Sequence, residues 1–337
     1  MPSKGVIWCF RPTLIFLPLV VAIISLGVGR VFIDPITIIK ILTSQIIPIE
    51  ETWAPVQETV VMNVRFPRIL LALLIGGGLS ISGASFQGMF GNPLVSPDIL
   101  GVSAGAGFGA SLGILFFGNT FGAQILALAF GLLAILFTFF VAGNQKNSPI
   151  FMFVLAGVIT SALFNALISL MKFVADPEEK LPAITYWLMG SLGTATYKDL
   201  YIAAPIIIVG VLILYTLRWR LNLLTLPEDE AKSMGIPVIA LKWAIIAGAT
   251  IITAATVAVA GIVGWVGLII PHIARMFVGN NNQYVLPVSL AIGSTYLLII
   301  DNLARSLTAT EIPLSILTAI IGAPFFAYLL RRMGGSW

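Results

Sequence analysis

Apolar segments of about 20 residues recur along the chain and are separated by short polar stretches. One such segment is long enough to span a bilayer as an α-helix. Runs such as 69–86 and 124–142 do not alternate in polarity, which excludes the strands of a membrane barrel. Because hydrocarbon offers backbone groups no hydrogen-bond partners, these runs predict an all-α polytopic membrane protein.

The pattern predicts about ten transmembrane helices. The least certain division lies within residues 239–278, where 243–271 carry no charge and are long for one crossing. Gly261, Gly264 and Gly267 provide a break, so we assign two spans there. The predicted spans are 13–33, 68–88, 97–117, 121–142, 149–173, 199–217, 239–262, 264–278, 284–302 and 312–331.

Composition supports one membrane domain with small loops. Of 337 residues, 58% are hydrophobic and 9% are charged, whereas soluble domains are about 25% charged. We therefore expect residues 1–337 to form a single transmembrane domain. The one cysteine, Cys9, excludes an intrachain disulfide. The net charge of +4 reflects basic loops and does not indicate nucleic-acid binding.

The distribution of charge predicts the orientation. The first span follows Lys4 and Arg11 and has no cleavage site before a soluble domain, so we expect an uncleaved helix with its basic end inside. With ten spans, both termini are then cytoplasmic. The basic residues predicted to lie inside are Lys146, Arg218, Arg220, Lys232, Lys242, Arg275, Arg331 and Arg332. Acidic residues cluster in the outer loops 34–64 and 174–198.

Charges within the predicted spans are nearly absent. Arg30, Lys172 and Asp301 all lie close to span ends. Proton relays and ion sites need ionisable residues in the membrane, so the sequence favours a weakly charged conduit. A single histidine, His272, cannot form a metal cluster, and we expect it to pack or to anchor a loop. Metalloprotease, serine-hydrolase and phosphate-loop motifs are absent, so we expect no enzyme activity and no metal site.

Glycines recur every fourth residue in the third predicted span. A stripe of this kind lets two helix backbones approach closely, and it can also line a pore. Both interpretations remain open from sequence. The stripe consists of Gly101, Gly105, Gly109 and Gly113.

The inner loop 221–237 predicts a short helix. Pro227 suits its start, the acids that follow suit its first turn, and Gly235 suits its end. The loop is either a solvated connector or a docking element for a soluble partner. On the outer side, Arg65, Arg68 and Arg305 are either lipid-headgroup anchors or a basic patch for an acidic partner.

Four stretches resemble the FecCD-type permeases, the membrane subunits of ATP-binding-cassette importers for iron–siderophore complexes, haem and cobalamin. Residues 65–110 read RFPRILLALLIGGGLSISGASFQGMFGNPLVSPDILGVSAGAGFGA, and residues 226–238 read LPEDEAKSMGIPV. Residues 261–279 read GIVGWVGLIIPHIARMFVG, and residues 311–332 read EIPLSILTAIIGAPFFAYLLRR. The resemblance covers the chain from about residue 60 to its end, in the order typical of the family.

The resemblance implies a type II importer permease in the bacterial inner membrane. Two copies would form a homodimer around a central pathway lined by the fifth and tenth spans. A periplasmic binding protein would deliver a metal chelate, or an oxyanion such as molybdate or tungstate. Two cytoplasmic ATPase subunits would consume ATP with Mg²⁺, while this chain would bind no cofactor and no nucleic acid, only membrane lipid and its protein partners.

The resemblance also implies site residues. Arg65, Arg68 and Arg305 would dock the binding protein. The loop 218–238 would hold the coupling helix, with Glu228, Asp229, Glu230, Ala231, Lys232, Ser233, Met234 and Gly235 contacting the ATPase. The cytoplasmic gate would consist of Asn92, Pro93, Leu94, Asn147 and Ser148. The alternative function, a stand-alone secondary transporter or channel, would need intramembrane ionisable residues or a filter motif.

Overall fold

A computed structural model describes residues 4–143 and 150–332. This part of the chain forms fourteen α-helices, two short 3₁₀ segments at Pro97–Leu100 and Arg220–Thr225, and a π-helical turn at Val60–Arg65. The α-helices are α1 (Lys4–Gly27), α2 (Pro35–Ser44), α3 (Pro55–Thr59), α4 (Phe66–Phe90), α5 (Val102–Phe117), α6 (Thr120–Ala142), α7 (Ile150–Val174), α8 (Lys180–Leu188), α9 (Tyr197–Leu217), α10 (Glu228–Ser233), α11 (Val238–Ala260), α12 (Val266–Val278), α13 (Asn282–Ser306) and α14 (Leu314–Arg332).

The all-α polytopic fold is confirmed, and each of the ten predicted spans coincides with one of these helices. Six helical stretches in the described residues are long and apolar enough to cross a membrane, including the continuous run Pro55–Phe90. Helices α1, α5, α12 and α14 contribute shorter apolar stretches. We call the end of the bundle at which α4 begins the outer end, following the predicted orientation, and the opposite end the inner end.

Three helices form the centre of the bundle. In the most apolar stretch of the Pro55–Phe90 run 83% of residues are buried, and the corresponding values are 72% for α11 and 61% for α13. In α7 and α9 only 28% are buried, so these helices lie at the periphery. Helices α4 and α13 approach closely where Gly76 faces Gly293, because a Cβ atom on Gly76 would clash with the Gly293 carbonyl.

The predicted break between the seventh and eighth spans is present at residues 261–265. Gly261 has φ +67° and Trp265 has φ +70°, both in the left-handed region. Helix α12 has only 13 residues, about 20 Å at 1.5 Å per residue. Because that is shorter than the roughly 30 Å hydrocarbon core, the non-helical segment before it lies below the outer surface.

Protein backbone packs around this break and hydrogen-bonds to it at its start. The Ser191 amide donates to the Ala260 carbonyl at 2.9 Å. The segment after α8 also accepts from α14, since the Leu314 amide donates to the Gly190 carbonyl at 2.9 Å. Irregular backbone at membrane depth is tolerated only where protein or a cavity encloses it, so α8 and the start of α14 make the break possible.

The glycine stripe packs helix against helix, with one correction. Cβ atoms on Gly105 and Gly109 would clash with α6, and one on Gly113 would lie 2.5 Å from Ala123 Cα. Gly101, however, is not on the α5 helix: it has φ +82°, precedes α5 and faces Thr160 of α7. The predicted span 97–117 therefore begins too early, because a 3₁₀ segment ending at Gly101 leads into α5.

Candidate functional site

A buried ion-pair cluster joins α4 to α13 at the outer end. Arg68 Nε donates to both carboxylate oxygens of Asp301, at 2.9 and 3.0 Å. The same guanidinium donates to Glu311 through Nη1 at 2.8 Å and through Nη2 at 3.0 Å. Asp301 is fully buried, whereas the Glu311 side chain is 33% exposed. Because an unpaired buried carboxylate is costly, Arg68 is what makes the burial of Asp301 tolerable.

Arg305 completes this cluster from α13. Its Nε lies 3.8 Å from Asp301 Oδ2. Its Nη2 donates to the Ser25 carbonyl of α1 at 2.6 Å and to the Asn302 side chain. Asn302 in turn donates to the Ser25 hydroxyl at 2.6 Å. Arg305 therefore connects the cluster to the outer end of α1.

Arg65 connects the segment after α1 to the turn before α4. Its guanidinium donates to the carbonyl oxygens of Leu26 and Val31. The backbone at Gly29 leaves room for this side chain, since a Cβ atom there would lie 2.8 Å from Arg65 Nη2.

The three predicted docking arginines thus lie inside the chain and do not form an exposed basic patch. Arg65 and Arg68 are 4% exposed and Arg305 is 6% exposed. Each guanidinium meets acceptors of this chain, so neither an open patch nor isolated headgroup anchoring describes them. One signal could have indicated this arrangement, since Asp301 and Glu311 lie near the same predicted membrane face as Arg68, but no local pattern pairs them with it.

At the inner end, His272 holds the predicted gate loop. The Pro93 carbonyl lies 3.1 Å from His272 Nε2, and because a carbonyl only accepts, Nε2 carries the proton. The Asn92 side chain accepts from the Leu94 amide at 2.9 Å, which closes the turn. The His272 ring also meets Phe326 of α14 edge-on. Loop anchoring, one of the roles expected for His272, is therefore its role in this structure.

Other polar contacts fix the neighbourhood of this loop. Arg275 of α12 donates to Gln87 Oε1 of α4, and Gln87 Nε2 donates to the Leu268 carbonyl at 3.2 Å. Asp98, in the segment between α4 and α5, accepts from the Ser103 hydroxyl. Of the predicted gate residues, Asn147 and Ser148 lie outside the described part of the chain.

The predicted short helix of the inner loop is present as α10. Pro227 precedes its first residue, Glu228, and Gly235 follows its end with φ +75°. Ala231 is 2% exposed and anchors the helix. The exposed residues around it are Asp229, Glu230, Lys232, Ser233, Met234 and Gly235.

A pair of amide contacts ties this loop to α13. Asn222, in the 3₁₀ segment before α10, donates to the Asn281 side chain at 2.8 Å. It also accepts from the Asn282 amide at 2.9 Å. Gly88 of α4 packs on the Asn282 side chain, where a Cβ atom would lie 3.0 Å from Asn282 Oδ1. The inner loop is thus connected to both central helices α13 and α4, a link that the sequence did not indicate.

Among the described residues, no group of three or more His, Cys, Asp or Glu side chains is placed to hold a metal ion. The ion-pair cluster around Arg68 lies at the outer end of the bundle, and the contacts of His272 and Asn222 lie at its inner end. The sequence profile of the FecCD transport family matches residues 17–332. The chain belongs to the FecCD transport family. It is accordingly a multi-pass permease of the bacterial inner membrane.

Individual FecCD relatives cover nearly the whole chain. The molybdate import system permease protein MolB of Haemophilus influenzae is 45% identical over 95% of this chain and 94% of its own length. A probable iron chelatin transport system permease protein of Helicobacter pylori (strain 26695) is 40% identical over 82% of this chain and 83% of its own length. A solved inward-facing structure of a metal-chelate-type ABC transporter matches 95% of this chain and 98% of that chain, with 42% identity and a TM-score of 0.85.

We expect Asp301→Asn to destabilise the folded chain strongly. Removing one partner of a buried ion pair costs up to roughly 3–5 kcal/mol, and without Asp301 the two guanidinium groups of Arg68 and Arg305 retain only the Glu311 carboxylate within this cluster. The apparent Tm in detergent should therefore fall well below that of Glu178→Gln, a change at an exposed outer carboxylate. An Asp301→Asn variant as stable as this control would contradict the assigned role of the pair.

We expect His272→Ala to release the loop 91–96. Without the Nε2–H donor, the Pro93 carbonyl loses its contact to α12, and hydrogen exchange of the Leu94 and Val95 amides should become several-fold faster. His272→Gln, which keeps a donor on a side chain of similar reach, should restore part of the protection. Equal exchange in all three proteins would show that His272 does not hold the loop.

Proposed function

We propose that this FecCD permease imports a metal chelate or a metal oxyanion as the membrane-spanning subunit of a binding-protein-dependent ABC importer. The observation that carries the proposal is the 45% identity to a molybdate permease across nearly the whole of both chains. The 40% identity to a probable iron chelatin permease is the reason why the proposal also includes metal chelates. The apolar side chains exposed on the described parts of α7 and α14 fit a path that passes its cargo without holding it tightly.

The inner loop is the proposed contact with two ATPase subunits, which would consume ATP with Mg²⁺ while this chain binds neither. In support, α10 projects exposed side chains around a single buried anchor, Ala231. The Asn222 contacts to Asn281 and Asn282 offer a route by which movement of the loop reaches α13. Residues 218–238 would therefore act as the coupling segment within one transmembrane domain spanning 1–337.

A second copy of the chain is the proposed partner within the membrane. Helices α7 and α14, the proposed pathway walls, carry exposed apolar side chains such as Val158 at 54% and Ile320 at 63%. Two such faces would enclose an uncharged path between the copies. The loop at Asn92, Pro93 and Leu94, with Asn147 and Ser148, would close that path at its cytoplasmic end.

Docking of the binding protein is proposed at the outer ion-pair cluster, with Glu311 as its accessible member. Arg68 already holds Glu311 and Asp301, so a carboxylate from a binding protein can reach Arg68 only when Glu311 leaves it. Glu311 lies three residues before α14, so its release would also free the start of a proposed pathway helix. Arg65 and Arg305 would hold the backbone beside this site in place through their buried hydrogen bonds.

The alternative of a stand-alone secondary transporter is less well supported. Such a transporter needs ionisable groups along the pathway, whereas the buried charges of the described spans lie near their ends. Membership of the FecCD family also opposes it.

The first test is uptake by proteoliposomes containing the permease with its ATPase and binding protein. Labelled molybdate and a ferric chelate should be offered separately. We expect ATP-dependent uptake of one of them, and we expect Met234→Asp to lower uptake at least ten-fold, because Met234 is 64% exposed beside α10. Met276→Asp places the same change at another exposed inner methionine, 62% exposed on α12, and should retain most uptake.

Uptake without ATP or binding protein would favour the stand-alone transporter. Full ATP-driven uptake by Met234→Asp would contradict the coupling role of α10, even if import itself were established.

The second test measures the affinity of the binding protein for the reconstituted permease. Glu311→Gln weakens the intrachain contact to Arg68, so we expect the Kd for the binding protein to fall several-fold. Glu50→Gln removes the same charge from an exposed position of the outer loop and should leave the Kd unchanged. Equal effects of Glu311→Gln and Glu50→Gln would mean that the change in net charge alone alters binding. A weaker complex with Glu311→Gln would contradict the proposal that the binding protein displaces Glu311 from Arg68.

A further inference from the structure

Helices α6 and α9 both pack against α11 and leave an apolar groove between them. The groove encloses about 280 Å³. Small residues of α11 form its floor, and larger side chains of α6 and α9 form its walls. The lining includes Phe121, Gln124 and Ile125 of α6, Ile202 and Ala203 of α9, and Val259 of α11.

The groove lies in one half of the membrane. It runs along α6 from Phe121 to Leu128, seven residues or about 10 Å at 1.5 Å per residue. The hydrocarbon core is about 30 Å thick, so the groove lies within one leaflet. The wall residues Phe121 and Ile125 are each 49% exposed, so the groove opens sideways towards the bilayer.

A cation lies at the outer mouth of the groove. Lys198 is exposed, and its Nζ lies 4.6 Å from the centroid of the Phe121 ring, which itself lines the groove. The neighbouring carboxylate, Asp199, is engaged within the chain: it accepts from Gln124 Nε2 at 2.7 Å and from the Thr196 amide at 2.8 Å. Gln124 and Asp199 thus bond to each other at the top of the groove, and the exposed Lys198 is the cation beside its mouth.

We propose that this groove binds a phospholipid with an anionic headgroup from the outer leaflet. One acyl chain would lie between α6 and α9 against Ile125, Ile202 and Val259, and the phosphate would meet Lys198. Charge complementarity at the mouth and an apolar groove within the outer leaflet match the two parts of such a lipid. The polar side chain of this lining, Gln124, already donates to Asp199, and the rest of the lining is apolar. The groove therefore does not suit a metal chelate or an oxyanion, and it is separate from the proposed transport path.

The test is retention of lipid by the full-length chain. The protein is reconstituted in nanodiscs of equal parts phosphatidylethanolamine and phosphatidylglycerol and released into mild detergent, and bound lipids are counted by native mass spectrometry. We expect one retained phosphatidylglycerol per chain. Lys198→Gln should lower this retention about five-fold, equivalent to about 1 kcal/mol for one lysine near an anionic lipid surface, and should remove the preference over phosphatidylethanolamine.

Filling the groove provides the second variant. Ala203 is 1% exposed on a groove wall, so Ala203→Leu should displace the acyl chain and lower retention of both lipids. The matched controls are Ala129→Leu, on an exposed face of α6 outside the lining, and Lys172→Gln, in the last turn of α7. Both should retain lipid like the unaltered chain. Lys198 is exposed, so Lys198→Gln should fold. This variant therefore still tests the proposal if Ala203→Leu does not fold.

Unchanged retention in Lys198→Gln, or equal losses in the controls, would overturn the proposal. So would a loss of dimers in Ala203→Leu with lipid retention unchanged, which would assign the groove to a second copy of the chain. None of these outcomes depends on transport, so they are independent of the proposed import function.

Discussion

Helices inside a bilayer gain little from burying apolar side chains against one another, because lipid chains are equally apolar. The bundle therefore depends on close backbone approach. Gly76 meets Gly293 where α4 crosses α13, and Gly105 and Gly109 bring α5 against α6. These contacts make α4 the most buried helix and leave α7 and α9 at the periphery. The buried ion pairs described above lie at the outer end of the bundle, whereas hydroxyl side chains such as Ser80 and Thr253 are buried within the central helices.

The two ends use their polar groups differently. At the outer end, Arg68, Asp301 and Glu311 form a compact ionic cluster that ties α4 to the start of the α13–α14 connection. At the inner end, single hydrogen bonds predominate, such as those from His272 to the Pro93 carbonyl and from Asn222 to Asn281. A loop held by one hydrogen bond opens at a lower free-energy cost than a buried ion pair. The inner end is thus the more easily rearranged of the two.

Hydropathy predicted the ten spans because each span is a local property of about 20 consecutive residues. Pro227 and Gly235 likewise predicted α10 from local helix-capping preferences. The ion pair of Arg68 with Asp301 could not be predicted in this way, since 233 residues separate the partners and no local pattern relates them. The same reason explains why the sequence indicates an outer basic patch for Arg65, Arg68 and Arg305, although the three side chains are buried. Gly101 was misplaced because a four-residue repeat does not reveal the residue at which a helix begins.

The break before α12 has a consequence for how the protein is made. The Gly190 and Met189 carbonyls, which lie beside the break, receive their donors from Leu314 and Ser315 at the start of the last helix. During synthesis these carbonyls enter the membrane well over a hundred residues before their partners exist. The hydrogen bonds of this segment beside the break are therefore completed only when the last helix inserts, so the start of α14 is needed for the final step of assembly there.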